Sequence, residues 1–197
     1  MARISSIPRE QLGEFVDTFE RLEQASGFVP NSLLIMAHRP GLLRTFLPLA
    51  FEVLAAPSSL APGLRNLIAH VASRTAGCQY CMAHTAHSSS GAGIENDKIA
   101  AAFEYETSPL FDEAERAALA LAQASATVPN MASDQDFETL KEYYSEEQIV
   151  EIVGVISLFG FLNRWNDTLA TDLEDHPIEI AEKTIASTGW SVGKHGG

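Results

Sequence analysis

The chain has 197 residues, enough for one domain with a sizeable core. Hydrophobic residues make up 46% and charged residues 20%, with a net charge of −13 and a pI near 4.8. That balance excludes nucleic acid and anionic membrane surfaces as partners, since both demand a basic footprint.

Helical periodicity runs along the whole chain. Pro8 is placed to open a first helix, whose apolar residues Leu12, Phe15, Val16, Phe19 and Leu22 keep a 3–4 spacing up to Gly27. Pro30 starts a short helix through His38, stopped by Pro40, and Leu42 to Leu54 continues the pattern with Pro48 inside it. After a loop at Pro57, a helix is predicted from Pro62 to about Thr75. Gly77 precedes another helix from about Cys78 to Ser90, which Gly91-Ala92-Gly93 breaks.

Asn96 to Phe103 reads as a short helix, and Asp112 to Ala126 as an Ala-rich one with acids in its first turn. Ser133 and Ser145 have the look of N-caps, the second opening the longest and most apolar helix, to about Leu173. Pro129-Asn130-Met131 is the most plausible boundary between two helical halves. The segment from His176 to Gly197, rich in Gly, Ser and Lys, reads as a tail that packs only in part or frays. Alternating β-branched runs are scarce, so the expected fold is all-α, in one domain over residues 1–175 with a tail at 176–197.

No run approaches the roughly 20 uninterrupted apolar residues of a membrane span, and the first residues lack the apolar core of a secretory signal. The only two cysteines fall in Gly77-Cys78-Gln79-Tyr80-Cys81-Met82-Ala83-His84-Thr85-Ala86-His87. Two close cysteines in an otherwise cysteine-free chain fit a reducing compartment, and the expected location is the cytoplasm.

On one helix, Cys78 and Cys81 share a face and are near enough to bridge. The first-turn N–H groups favour a negative sulfur, and His84 or His87 could manage protons. A reversible dithiol is the first reading; two inert buried cysteines are the bland one. Zinc on Cys78, Cys81, His84 and His87 is a poor fit, because residues 78 and 87 lie roughly 13 Å apart along a helix axis. There is no phosphate-binding glycine loop, dinucleotide fingerprint, Gly-x-Ser-x-Gly elbow or His-Glu-x-x-His. Neither a cofactor nor a metal is therefore expected. Asn163, Arg164, Asn166 and Asp167 form a polar cluster in the apolar last long helix, where they would line the site or cross a subunit interface.

Gly-Cys-x-Tyr-Cys followed by Ala-His-Thr-Ala resembles the carboxymuconolactone decarboxylase family, in its alkylhydroperoxidase D-like, peroxidase-related branch. Phe28-Val29-Pro30-Asn31 and Leu158-Phe159-Gly160-Phe161-Leu162-Asn163-Arg164 support the likeness, which covers residues 28–174. The resemblance implies a helical bundle assembling as a trimer or hexamer, with a dimer as the smaller option. It also implies reduction of a small hydroperoxide by the cysteine pair, which an external dithiol resets. Cys81 matches the attacking cysteine and Cys78 the resolving one, whereas the helix-terminus argument alone favours Cys78.

The family's relay glutamate and histidine fall on Asn66 and Thr85 here. Asparagine cannot exchange a proton at neutral pH, so His70, His84 and His87 are the candidates to carry the relay instead. An acid–base decarboxylase using those histidines, and a non-catalytic relative, remain as alternatives.

Overall fold

The computed structural model describes residues 1–61 and 63–197. Among them there are ten α-helices and no strand. They are α1 Val16–Ser26, α2 Asn31–Met36, α3 Pro40–Leu54, α4 Leu64–Thr75, α5 Gln79–Gly91, α6 Asn96–Ala100, α7 Glu113–Ala126, α8 Asp134–Lys141, α9 Glu146–Leu169 and α10 Asp175–Thr184. The start expected for the fourth helix, Pro62, lies outside the described residues.

Local chemistry explains most of the boundaries. Asp112, Ser133 and Ser145 each cap a helix in a reciprocal capping box with Glu115, Asp136 and Gln148. Gly27 ends α1 in the left-handed region at φ 83°. The first helix begins later than expected: Pro8 opens a 3₁₀ turn at Arg9–Gln11, a second follows at Gly13–Phe15, and α-geometry starts at Val16. Gly13 has φ 54°, which breaks the regular turn between them. The last long helix stops at Leu169, four residues short of expectation, where Ala170 takes φ 48°.

One buried cluster runs from Leu67 and Ile68 on α4 through Tyr80 and Ala83 on α5 and Leu119 and Leu121 on α7 to Leu140, Ile152 and Ile185. It crosses the Pro129 region without interruption, so that segment is a loop within one core and not a boundary. A second cluster joins Phe15, Phe19, Leu33, Met36, Leu43 and Phe46 to Leu158 on α9. By length and composition α9 is apolar enough to cross a membrane, but Ile149, Ile152, Val155, Ile156, Leu158 and Phe159 are spent on these cores.

The segment after residue 175 does not fray. It forms α10, packed on α5, and then a compact coil in which Trp190 is 6% exposed and His195 fully buried. Trp190 Nε1 donates to the Gln79 carbonyl at 3.0 Å, and the Leu173 amide donates to the His195 carbonyl at 2.8 Å. Large side chains spaced too irregularly for a helix face carry this packing, which periodicity does not detect.

Candidate functional site

Gly77 takes φ 75°, a conformation that strains any side-chain-bearing residue, and this turn aims Cys78 at the start of α5. Cys78 is the N-cap: its Sγ accepts from the Cys81 amide at 3.4 Å, so the sulfur sits at the positive end of the helix. Both cysteines are free thiols and both are buried. Burial and the neighbouring Cys78 sulfur push the Cys81 thiol well above its ordinary range, against the opposing effect of Asn166. Asn166 Nδ2 lies 3.5 Å from Cys81 Sγ and is the one side-chain donor in that opposition.

The helix that bears the cysteines also carries one half of a carboxylate–imidazole pair. His84 Nε2 lies 2.6 Å from Glu174 Oε2, at the start of α10. Glu174 Oε1 accepts from the Tyr80 hydroxyl at 2.9 Å and from the Asn31 amide at 2.5 Å. Burial alone would raise the Glu174 carboxyl, but the His84 ring and the first-turn amide of α2 outweigh it and hold it below the usual range. Tyr80 stacks on His84 with ring centroids 4.3 Å apart, and Phe28 meets His84 edge-on at 5.4 Å. His84 keeps 19% of its side chain exposed, so solvent reaches this end of the site.

The histidines picked from the sequence separate. His84 joins the carboxylate pair. His87 turns to Phe28 at 5.4 Å and to His176 at 4.8 Å, and burial, with the His176 and His84 rings, lowers its pKa. His70 is fully buried with Nδ1 2.8 Å from Thr85 Oγ1, which itself donates to the Cys81 carbonyl. Among the described residues no imidazole hydrogen-bonds to either sulfur, so His70 is a core residue that braces α4 against α5. The two departed positions are occupied otherwise: Thr85 bridges those groups, and Asn66 Nδ2 donates to the Ser88 carbonyl. The four side chains Cys78, Cys81, His84 and His87 do not converge. The donors that gather are Cys78 Sγ, an Asp167 oxygen and a His195 ring nitrogen, within 4.8 Å of one another.

Burial, with the nearby Arg74 cation, drives the His70 pKa from 6.5 to about 4. A histidine depressed in the fold contributes stability that is present above its unfolded pKa and is lost as pH falls from about 6.5 towards 4. The shift corresponds to on the order of 3 kcal/mol at the acid end. Urea midpoints at pH 7 and pH 5 should differ in the native protein, and the difference should shrink in His70→Gln.

Glu174, Asn31 and His195 escaped sequence reading. Glu174 carries the signal of an N-cap acid before Pro177, which reads as structural. Asn31 lies in the stretch that supports the family likeness, without a role attached. His195 sits among glycines with no periodicity. Asn166 and Asp167, singled out only as a polar cluster, do line the site, while Arg164 donates to the Gly160 carbonyl on its own helix.

An open groove of about 1580 Å³ runs along α9 and reaches Thr75, Ala76, Asn163 and Asp167, next to the cysteine turn. Neither sulfur lines it.

The carboxymuconolactone decarboxylase family model matches residues 40–124. A crystal structure of the debrominase Bmp8, in a cysteine-to-alanine variant with 2,3,4-tribromopyrrole, is 35% identical with a TM-score of 0.85. It covers 92% of this chain and 96% of that one. An alkylhydroperoxidase D-core, peroxidase-related protein from Ralstonia eutropha JMP134 is 23% identical with a TM-score of 0.75 over 88% of this chain and 94% of that one, a likeness of fold. The Escherichia coli (strain K12) protein YnjA is 26% identical over 112 residues, 57% of this chain and 62% of YnjA's length. With the helical bundle, the Cys-x-x-Cys turn and these matches in hand, the chain belongs to the carboxymuconolactone decarboxylase family, in its alkylhydroperoxidase D-like branch.

Proposed function

We propose that the protein is a cofactor-free dithiol reductase of small electrophilic substrates, with Cys81 as nucleophile, Cys78 as resolving thiol and His84–Glu174 as proton donor. The observation that carries this reading is the His84–Glu174 contact at 2.6 Å on the helix that bears both cysteines. It supplies a carboxylate and an imidazole where the family positions hold Asn66 and Thr85. Asn166 Nδ2 offers the Cys81 thiolate its hydrogen bond.

The favoured substrate is a small halogenated aromatic ring, because the 35% identical relative is a debrominase and Phe28, Tyr80 and His84 present flat walls. The Cys81 thiolate attacks bromine, the S–Br bond forms and the C–Br bond breaks. The ring carbon takes a proton from the His84 side. Cys78 then displaces bromide from Cys81, leaving a disulfide. The net change is one C–Br bond and two thiols converted to C–H, a disulfide and HBr.

The second reading is an alkyl hydroperoxide, supported by the fold shared with peroxidase-related proteins. There the Cys81 thiolate takes the terminal oxygen as a sulfenic acid, the alcohol leaves, and Cys78 expels water. An external dithiol resets the pair in both cases, which suits a reducing compartment such as the cytoplasm. Incubating the protein and dithiothreitol with a brominated pyrrole or with cumene hydroperoxide, and measuring bromide and alcohol, separates the two. Bromide release fast and alcohol slow supports the first; no product from either contradicts the reductase reading. A decarboxylase would instead survive alkylation of both thiols.

We further propose a homo-oligomer built through the groove face of α9. Val128 is 79% exposed, Phe161 39% and Val153 37%, all lining the groove. Phe161→Glu should shift the protein towards the monomer in light scattering, and an unchanged mass in the variant argues against this face.

A further inference from the structure

His195 is the buried titratable group that the scheme above leaves unused. Its ring is fully buried. Nδ1 lies 2.8 Å from the Thr171 carbonyl, which can only accept, so Nδ1 carries the proton and Nε2 presents a lone pair. Nε2 has no hydrogen-bond partner. Asp167 Oδ1 is 3.8 Å from it, and the other carboxylate oxygen is held by Lys194 Nζ at 2.8 Å. A ring nitrogen of His195, Cys78 Sγ and an Asp167 oxygen lie within 4.8 Å of one another. An unpartnered buried imidazole nitrogen costs stability, which calls for a use.

We propose that His195 is the general base for Cys78, with the Thr171 carbonyl and Asp167 as its positioning groups. The site then has two proton-handling stations, one per sulfur: His84–Glu174 serves the substrate fragment leaving Cys81, and His195 serves the thiol that closes the disulfide. This rests on the dithiol reading above.

When Cys81 is a sulfenic acid, the Cys78 S–H proton moves to His195 Nε2. The Cys78 sulfur attacks the Cys81 sulfur, the S–S bond forms and the S–O bond breaks. Departing hydroxide takes the proton back from His195 and leaves as water. Cys78 is oxidised and the sulfenic sulfur is reduced, so the electrons balance without a co-reactant.

The surroundings suit a base. Burial lowers the His195 pKa, with Lys194 adding to that; the Thr171 carbonyl, Asp167 and Asp172 oppose it. Tyr80 faces it from α5 with ring centroids 5.9 Å apart, and the Met1 ammonium stands 3.4 Å from Asp172. The imidazole is therefore neutral at pH 7 and ready to accept.

The test mixes the reduced full-length protein rapidly with hydrogen peroxide and follows two events across pH 5–9. Sulfenic acid at Cys81 is trapped in a Cys78→Ser background; disulfide closure is followed by acid quench and thiol labelling. His195→Gln should slow closure at pH 7 by about 10²-fold, leave sulfenic acid formation within about twofold, and move the pH limb of closure to higher pH. Because His195 is buried, Asp167→Asn on the half-exposed face of α9 provides a second readout. Removing that negative charge should move the native limb to lower pH. Closure rates and pH limbs identical to native in both variants would overturn the role of His195 alone. Sulfenic acid that never closes in the native protein would overturn the dithiol reading along with it.

Discussion

Cys81→Ala should drop substrate reduction to the uncatalysed background, while Cys78→Ser should retain a single reaction equivalent and then stop. The asymmetry follows from the geometry. Cys81 is the sulfur that carries the Asn166 hydrogen bond, and it shares α5 with His84, one turn away. Cys78 sits at the helix cap, where its sulfur already accepts from the Cys81 amide. Alanine is the better replacement at Cys81, because a buried hydroxyl without a partner costs about 1–3 kcal/mol and would confuse lost chemistry with lost fold. The check is product formed per protein in the first turnover, alongside thermal melts. Native steady-state activity in both variants would remove the sulfurs from the mechanism.

Glu174→Gln should lower turnover by about 10²-fold with little change in fold. Glutamine keeps an acceptor oxygen for the Asn31 amide and the Tyr80 hydroxyl, so the shape of the site survives while the charge beside His84 goes. Because the carboxyl is held below its ordinary value, its contribution to stability is present above the unfolded pKa near 4.5 and fades as pH falls through the lower folded value. The native protein should therefore show an acid-side loss of stability that the glutamine variant lacks. Glu174→Ala is the contrasting case: it strips the partner from the Asn31 amide, the Tyr80 hydroxyl and the His84 ring, and should cost about 1–3 kcal/mol per buried group left unpaired. Turnover that is the same in Glu174→Gln as in the native protein would show that His84 works without its carboxylate.

What the sequence made legible was local. Capping residues at Asp112, Ser133 and Ser145 and the glycines at 27 and 77 act within one turn of themselves, and the helices start and stop where these residues say. The Cys-x-x-Cys spacing places both sulfurs on the first turn of α5 in the same way. The missing parts were those assembled across long separations. Glu174 reaches His84 over ninety residues of chain, and nothing in its neighbourhood marks it as more than a helix-opening acid.

His195 shows the limit from the other side. Its segment has no apolar period because it packs as a coil, held by Trp190 and by carbonyl contacts, so composition alone suggested fraying. His70, open in the sequence to a relay role or to the core, meets the same limit: it lies on the helix face that turns to α5, and its partner is Thr85 rather than a sulfur. Which imidazole meets which group depends on helix rotation and on a partner from elsewhere in the chain. A one-residue offset, as between positions 84 and 85, turns the ring by about 100°.

The most direct measurement is a count of electrons against product in one turnover. The reduced protein, freed of external thiol, is given a limiting amount of the substrate that proves fastest, and free thiols and intact mass are then read. The account predicts two thiols lost for each product molecule, with a single intramolecular Cys78–Cys81 disulfide. Product formed with both thiols still free would contradict it.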